Sequence, residues 1–157
     1  MERRRKVVSK LNFLTKDNVV LDLDAKNQKD AISQLSNVLY KNGILNDPKQ
    51  FTEDVLKREQ MTTTGIGKNM AIPHGKSPTV KVPSMVFAKN KRSLDWNSLD
   101  GSKVNMIFLM AVTTKPDSGK EHLKMLSHLS GKLMDDDFVA KLKKTNDKDE
   151  ILKLLQN

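Results

Sequence analysis

Apolar and polar positions change period several times along this chain, and each change marks an element. Over residues 18–24 they alternate: Val19, Leu21 and Leu23 fall to one side, Asp22 and Asp24 to the other, which predicts a half-buried first strand. From Asn27 the period lengthens. Ile32, Leu35, Val38 and Leu39 share one helical face, Asn27 opens the helix with Asp30 three residues on, and Gly43 closes it. Asp47-Pro48-Lys49-Gln50 reads as a second helix start, with an Asp cap, Pro at the first helical position and Gln where a capping box places it. Phe51 and Val55 set the inner stripe of that helix, and Arg58, seven residues beyond Phe51, continues it.

After Met61 the pattern breaks. Thr62-Thr63-Thr64-Gly65-Ile66-Gly67 reads as a loop, followed by a short apolar strand over residues 70–73. Pro73 has no N–H for a ladder, so this strand is expected at a sheet edge or ending at the proline. Residues 84–88 and 104–112 are richer apolar runs and read as sheet strands, with a turn within residues 97–102. Helical periodicity returns over residues 119–134, after Asp137, and over residues 147–155. There is no internal repeat and no interdomain linker. The pattern predicts an α/β fold: one domain with a mixed central sheet flanked by helices, because the central strands lack crossover helices between them.

Composition adds limits. At 157 residues, with 37% hydrophobic and 30% charged positions, the chain has the size and balance of one ordinary globular domain. The longest apolar run, residues 106–112, is far too short to span a bilayer. Arg3-Arg4-Arg5-Lys6 leads into Val-Val-Ser-Lys and not into a secretory core and cleavage site. Without cysteine there is no disulfide, thiolate metal site or thiol nucleophile. A cytoplasmic protein with no direct membrane insertion is the simplest fit. The net charge of +9 raises nucleic acid as a partner, but residues 1–10 hold five Lys/Arg against one Glu, so +4 of it sits on what reads as a flexible basic tail. Elsewhere the lysines are interspersed with acids, and one Trp and one Tyr leave little for base stacking. The basic balance reads as a solvated surface and not as a nucleic-acid footprint.

Several motif classes fail on spacing. A P-loop needs glycine where Thr62 stands and Ser or Thr where Asn69 stands. The dinucleotide fingerprint needs a glycine at Met70. The three histidines, His74, His122 and His128, form no metal-binding spacing, and His122 and His128 point roughly 120° apart on one helix. No Gly-x-Ser-x-Gly occurs.

Three positions remain that could carry chemistry. His74 follows a strand-ending proline and precedes Gly75, which has no side chain to cover it. His122 begins the stripe His122, Leu126, Leu129, Leu133 just inside a helix start, with Ser118 as expected cap and Glu121 completing a capping box. There it faces the protein, and the helix dipole favours a neutral imidazole and a nearby anion. Taken alone it is an ordinary core histidine, and His128, off the stripe, an ordinary partly exposed one. Arg58, near a helix C-terminus, has an ordinary explanation as a dipole partner. Together, an inward arginine, a neutral histidine and an open imidazole would make a phosphoryl site, the arginine forking onto phosphate oxygens and one imidazole acting as nucleophile.

Arg58-Glu59, Thr64-Gly65-Ile66-Gly67 and Ala71-Ile72-Pro73-His74-Gly75 resemble the fructose/mannitol class of enzyme IIA in the bacterial phosphoenolpyruvate:sugar phosphotransferase system. Trp96, Leu99-Asp100-Gly101, the strand over residues 104–112 and Glu121-His122-Leu123 match in order, so the resemblance spans roughly residues 18–155. The family commonly has glycine where this chain has Asn69, a residue that tolerates left-handed backbone. The resemblance implies that His74 accepts a phosphoryl group from the phosphocarrier protein HPr and passes it to the IIB component of a sugar permease. It places His122 beside His74, Arg58 near the phosphoryl group, and Thr64 and Gly75 as contacts of the transferred group. No cofactor, nucleotide or metal is implied. Two roles fit: transport of fructose or a related sugar or polyol, and regulation of the nitrogen type, in which target proteins are bound according to phosphorylation state.

Overall fold

The computed structural model describes residues 13–156; the basic segment 1–10, read as a flexible tail, lies outside them. Six strands, β1 (Val19–Leu23), β2 (Gly65–Gly67), β3 (Met70–Ala71), β4 (His74–Lys76), β5 (Ser84–Leu94) and β6 (Val104–Val112), form one sheet in the order β1-β5-β6-β3-β2, with β4 also on β6. β5 and β6 are antiparallel, while β1 on β5 and both β3 and β4 on β6 are parallel, so the sheet is mixed. Helices α1 (Gln28–Lys41) and α2 (Pro48–Met61) cover one face; α3 (Ser118–Leu133), α4 (Asp136–Lys144) and α5 (Lys148–Gln156) cover the other.

The uninterrupted apolar run of β6 follows from this layering. Ile107, Leu109 and Ala111 pack toward α1 and α2, while Met106, Phe108, Met110 and Val112 pack toward α3, α4 and α5. A strand covered on both faces has no polar side to alternate with. β1 departs from the expected single apolar face. Val19 and Leu21 lie with the α3 layer and Leu23 with the α1 layer, because a register shift between Val20 and Leu23 reverses the parity.

Two helix starts match the local signals and one does not. Asn27 Oδ1 accepts the Asp30 N–H at 2.8 Å, and Asp47 Oδ1 accepts from Lys49 and Gln50 N–H at 3.1 Å. The second capping box stays open, since Gln50 donates to Asp54 and the Asp47 N–H donates to Thr79 Oγ1. At α3 the cap is Asp117 without a side-chain bond, and Ser118 is already the first helical residue, buried at 2% exposure. The expected Ser118–Glu121 capping box is therefore absent. The buried stripe of α3 is Ser118, Met125, Leu129 and Leu133, with Leu126 only partly buried at its margin.

The expected loop ending at Gly67 also needs correction. Its second half is β2, joined to β3 by Lys68 and Asn69, which both take left-handed backbone with φ of 55° and 69°. A two-residue connection with both residues left-handed is the turn that matches strand twist. β3 is thereby enclosed between β2 and β6 and is not an edge.

Candidate functional site

β3 ends at Ala71, but the chain does not leave the sheet at Pro73. The Pro73 carbonyl accepts the Met110 N–H at 2.9 Å, and the next residue starts β4, pairing His74 with Met110 and Gly75 with Ala111 along β6. His74 is thus a strand residue, not the first residue beyond a strand. Successive strand residues face opposite sides. His74 shares the α3 face with Met110, and Gly75 lies buried against α2, where an added Cβ would sit 2.7 Å from Val55 Cγ2 and 3.0 Å from Phe51 Cε1. Gly75 therefore lets α2 close onto the sheet. The space that its missing side chain leaves is on the α2 side and not over the His74 ring.

His74 and His122 meet on the α3 face. Their ring centroids lie 4.7 Å apart with the planes inclined at 53°. Both rings are half-buried. His74 Nδ1 lies 3.2 Å from the Ile72 carbonyl. A carbonyl only accepts, so Nδ1 carries the proton and the neutral ring keeps its lone pair on Nε2. Burial pushes the His74 pKa down to about 4; the Ile72 bond opposes this, and His122 and the Arg58 charge add to it. Burial also lowers the pKa of His122, helped by the charges of Arg58 and Lys76. His122 Nε2 is buried and has no hydrogen-bond partner among the described residues. Arg58 donates one guanidinium N–H to the Thr62 carbonyl at 3.1 Å, closing its own helix end. Its charge is still felt at both histidines. The bond to Thr62 fits the dipole explanation of Arg58, and its charge reaches the histidine pair as well.

A pH titration follows from this burial. The His74 imidazole should remain neutral from pH 8 down to about 5 and titrate near 4, observed by NMR on the ring nitrogens. The sign for stability is set by the unfolded chain, whose histidine protonates near 6.5. Above that pH His74 contributes no pH dependence; as pH falls from about 6.5 to about 4 the unfolded state takes up the proton first and stability declines. A His74 midpoint above 6 would refute this environment.

Thr64 does not face the histidine pair with its hydroxyl. It is 5% exposed, donates its Oγ–H to Glu59 Oε1 at 2.6 Å and accepts the Trp96 Nε1–H at 3.2 Å. This hydroxyl is engaged in the scaffold. His128 sits apart, partly exposed, with Nε2 3.1 Å from the Leu155 carbonyl, linking α3 to α5. Lys76 and the Ile72 carbonyl escape the sequence reading. Lys76 has a legible signal, since it lies two residues beyond His74 on the same strand face; the carbonyl has none.

A neutral imidazole with one nitrogen committed to the backbone and the other free, beside cations and a helix N-terminus, suits a protein that carries an anionic group covalently on histidine. The chain belongs to the family described as "Phosphoenolpyruvate-dependent sugar phosphotransferase system, EIIA 2", whose model matches residues 12–157. It is accordingly a phosphotransferase component of the kind that carries phosphate on histidine. It is 34% identical over 143 residues to the PTS system fructose-like EIIA component of Escherichia coli K12, covering 90% of this chain and 94% of that one. It is equally 34% identical over 143 residues to the PTS system fructose-specific EIIABC component of Bacillus subtilis, but there 91% of this chain spans only 22% of the relative. Among solved structures, nitrogen regulatory protein IIA-Ntr from Neisseria meningitidis superposes with a TM-score of 0.84 at 26% identity, over 95% of this chain and 99% of that one. No helix among the described residues is long and apolar enough to cross a membrane.

Proposed function

We propose that His74 is the phosphoryl-carrying residue, that it takes the group from phospho-HPr, and that it passes it to a IIB component serving uptake of fructose or a related sugar or polyol. The observation that carries this reading is the Nδ1 bond to the Ile72 carbonyl, which leaves the Nε2 lone pair as the nucleophile. In the step, Nε2 attacks phosphorus while the P–N bond to the donor imidazole breaks and its electron pair stays on the donor nitrogen. No proton moves, because His74 Nδ1 already carries its proton and the Ile72 carbonyl stabilises the charged ring that results. The transferring phosphoryl group is anionic, and its reaction is governed by positioning and charge. Arg58 and Lys76 supply that charge, and a His122 Nε2–H supplies a neutral hydrogen bond. A cytoplasmic location fits both partners. The relative that unites EIIA with B and C parts in one chain supports IIB as the receiver.

A second reading is favoured by the likeness to the IIA-Ntr structure. In it the phosphorylation state of His74 governs binding to target proteins, and no sugar is involved. One experiment separates the two. The protein is labelled with phosphoenolpyruvate, enzyme I and HPr, the label is mapped, and a fructose-type IIB domain is added. The transport reading expects acid-labile, base-stable label on His74 that discharges to IIB. Label that forms only with a nitrogen-type carrier and stays on the protein after IIB is added supports regulation. Label on another residue defeats the assignment of His74 in both.

A further inference from the structure

We propose that Glu59 is a positioning residue for His74, acting through Thr64 and Ile72 to hold the imidazole in its Nδ1–H tautomer; this rests on His74 as the phosphoryl acceptor. Glu59 lies in the last turn of α2, next to Arg58. Its two carboxylate oxygens each accept a hydrogen bond from the same residue. Oε2 accepts the Thr64 N–H at 2.8 Å and Oε1 accepts the Thr64 Oγ–H at 2.6 Å. A carboxylate has no proton to give, so this pairing admits one orientation of the Thr64 peptide and one hydroxyl rotor. With its proton directed at Glu59, the hydroxyl has a lone pair for the indole N–H of Trp96, which is 3% exposed within the α1–α2 layer.

Thr64 is held by this arrangement, and what it holds is Ile72. The Thr64 carbonyl accepts the Ile72 N–H at 3.0 Å, and the Ile72 carbonyl is the acceptor for His74 Nδ1–H at 3.2 Å. Ile72 lies between β3 and β4, outside both strands, and is followed by a proline. Its backbone direction is therefore set by the Thr64 bond. Free imidazole has no such constraint and exchanges between tautomers, and the Nε2–H form lacks the lone pair that attacks phosphorus. The sequence Arg58-Glu59 divides two tasks: the arginine charge acts on the histidine pair, and the glutamate acts on the loop that aims one of them.

The test compares Glu59→Gln, Thr64→Val and Thr64→Ser with the parent chain. Gln replaces one of the two acceptors by an NH2 donor that faces another donor, Val removes the hydroxyl, and Ser keeps it. Two quantities are read: the tautomer of unphosphorylated His74 from its ring 15N spectrum, and single-turnover acceptance from phospho-HPr. His128, bonded to Leu155 away from this loop, reports on the integrity of the fold. The expected result is one Nδ1–H tautomer in the parent and in Thr64→Ser. Glu59→Gln and Thr64→Val should give mixed tautomers and acceptance slower by about tenfold, as for loss of one hydrogen bond, with His128 unchanged. Should Glu59→Gln fail to fold, Thr64→Val decides alone. A single Nδ1–H tautomer retained in the folded variants overturns the proposal, whether or not the rate falls. A parent that never takes label, yet whose His74 tautomer responds to Glu59→Gln, overturns the acceptor reading and leaves the role of Glu59 standing.

Discussion

His74→Ala is expected to take no phosphoryl label from the carrier at any incubation time, while unfolding within a few degrees of the parent. On the proposed reading Nε2 of His74 is the nucleophile, so the loss is complete, and neither remaining histidine is placed to replace it. His122 Nε2 is buried, and His128 Nε2 faces the Leu155 carbonyl on the far side of α3. The stability change should be small, about 1 kcal/mol or less. A half-buried ring loses some packing, and a desolvated imidazole is removed with it. The measurement is radiolabel or intact mass after incubation with the full phosphorylation chain, alongside thermal unfolding. Label that persists on a folded His74→Ala protein moves the acceptor elsewhere and removes the basis for the proposed step.

The second large effect concerns His122. Its ring stacks at a tilt on His74 with 4.7 Å between centroids, it is held neutral by burial and by the charges of Arg58 and Lys76, and its Nε2 is buried without a partner among the described residues. A buried polar atom without a partner is costly, and with the proton on Nε2 the neutral ring would be a donor that lacks an acceptor. A phosphoryl oxygen on His74 would supply one. His122→Ala should still accept the group but slow its onward transfer to IIB by about a hundredfold, the scale seen when one preorganised donor is removed from a transition state. His122→Gln, which retains an amide donor, should recover part of the loss. Single-turnover transfer from isolated phosphorylated protein measures it, with unfolding as control. An unchanged rate in folded His122→Ala would make His122 a packing residue only.

Local chemistry alone determined much of this protein. The helix starts at Asn27 and Asp47 are cap signals that act within three residues, and the structure shows both bonds. The apolar run of β6 declared a central strand because burial on both faces leaves no polar alternation. His74 stood out for a different local reason: an imidazole directly after the proline that closes a short apolar run satisfies no local need. Beyond one or two turns, periodicity reports that a side chain is buried and says nothing of what it meets. Gly75 is the clearest case. Its neighbours Phe51 and Val55 stand 24 and 20 residues earlier on α2, so its purpose reads wrongly along the chain and plainly across it. β1 shows the same limit, since the register shift that sends Leu21 and Leu23 to different faces is set by its pairing with β5. His74 and His122 are 48 residues apart, and only the parallel seating of β4 on β6 beneath α3 brings their rings together. The partner of His74 Nδ1 comes from still further beyond local sequence: the Ile72 carbonyl belongs to a residue whose N–H is bonded to Thr64, which is bonded in turn to the end of α2. Hydrogen bonds between elements depend on distances that the sheet order sets, and that order is a property of the packed whole.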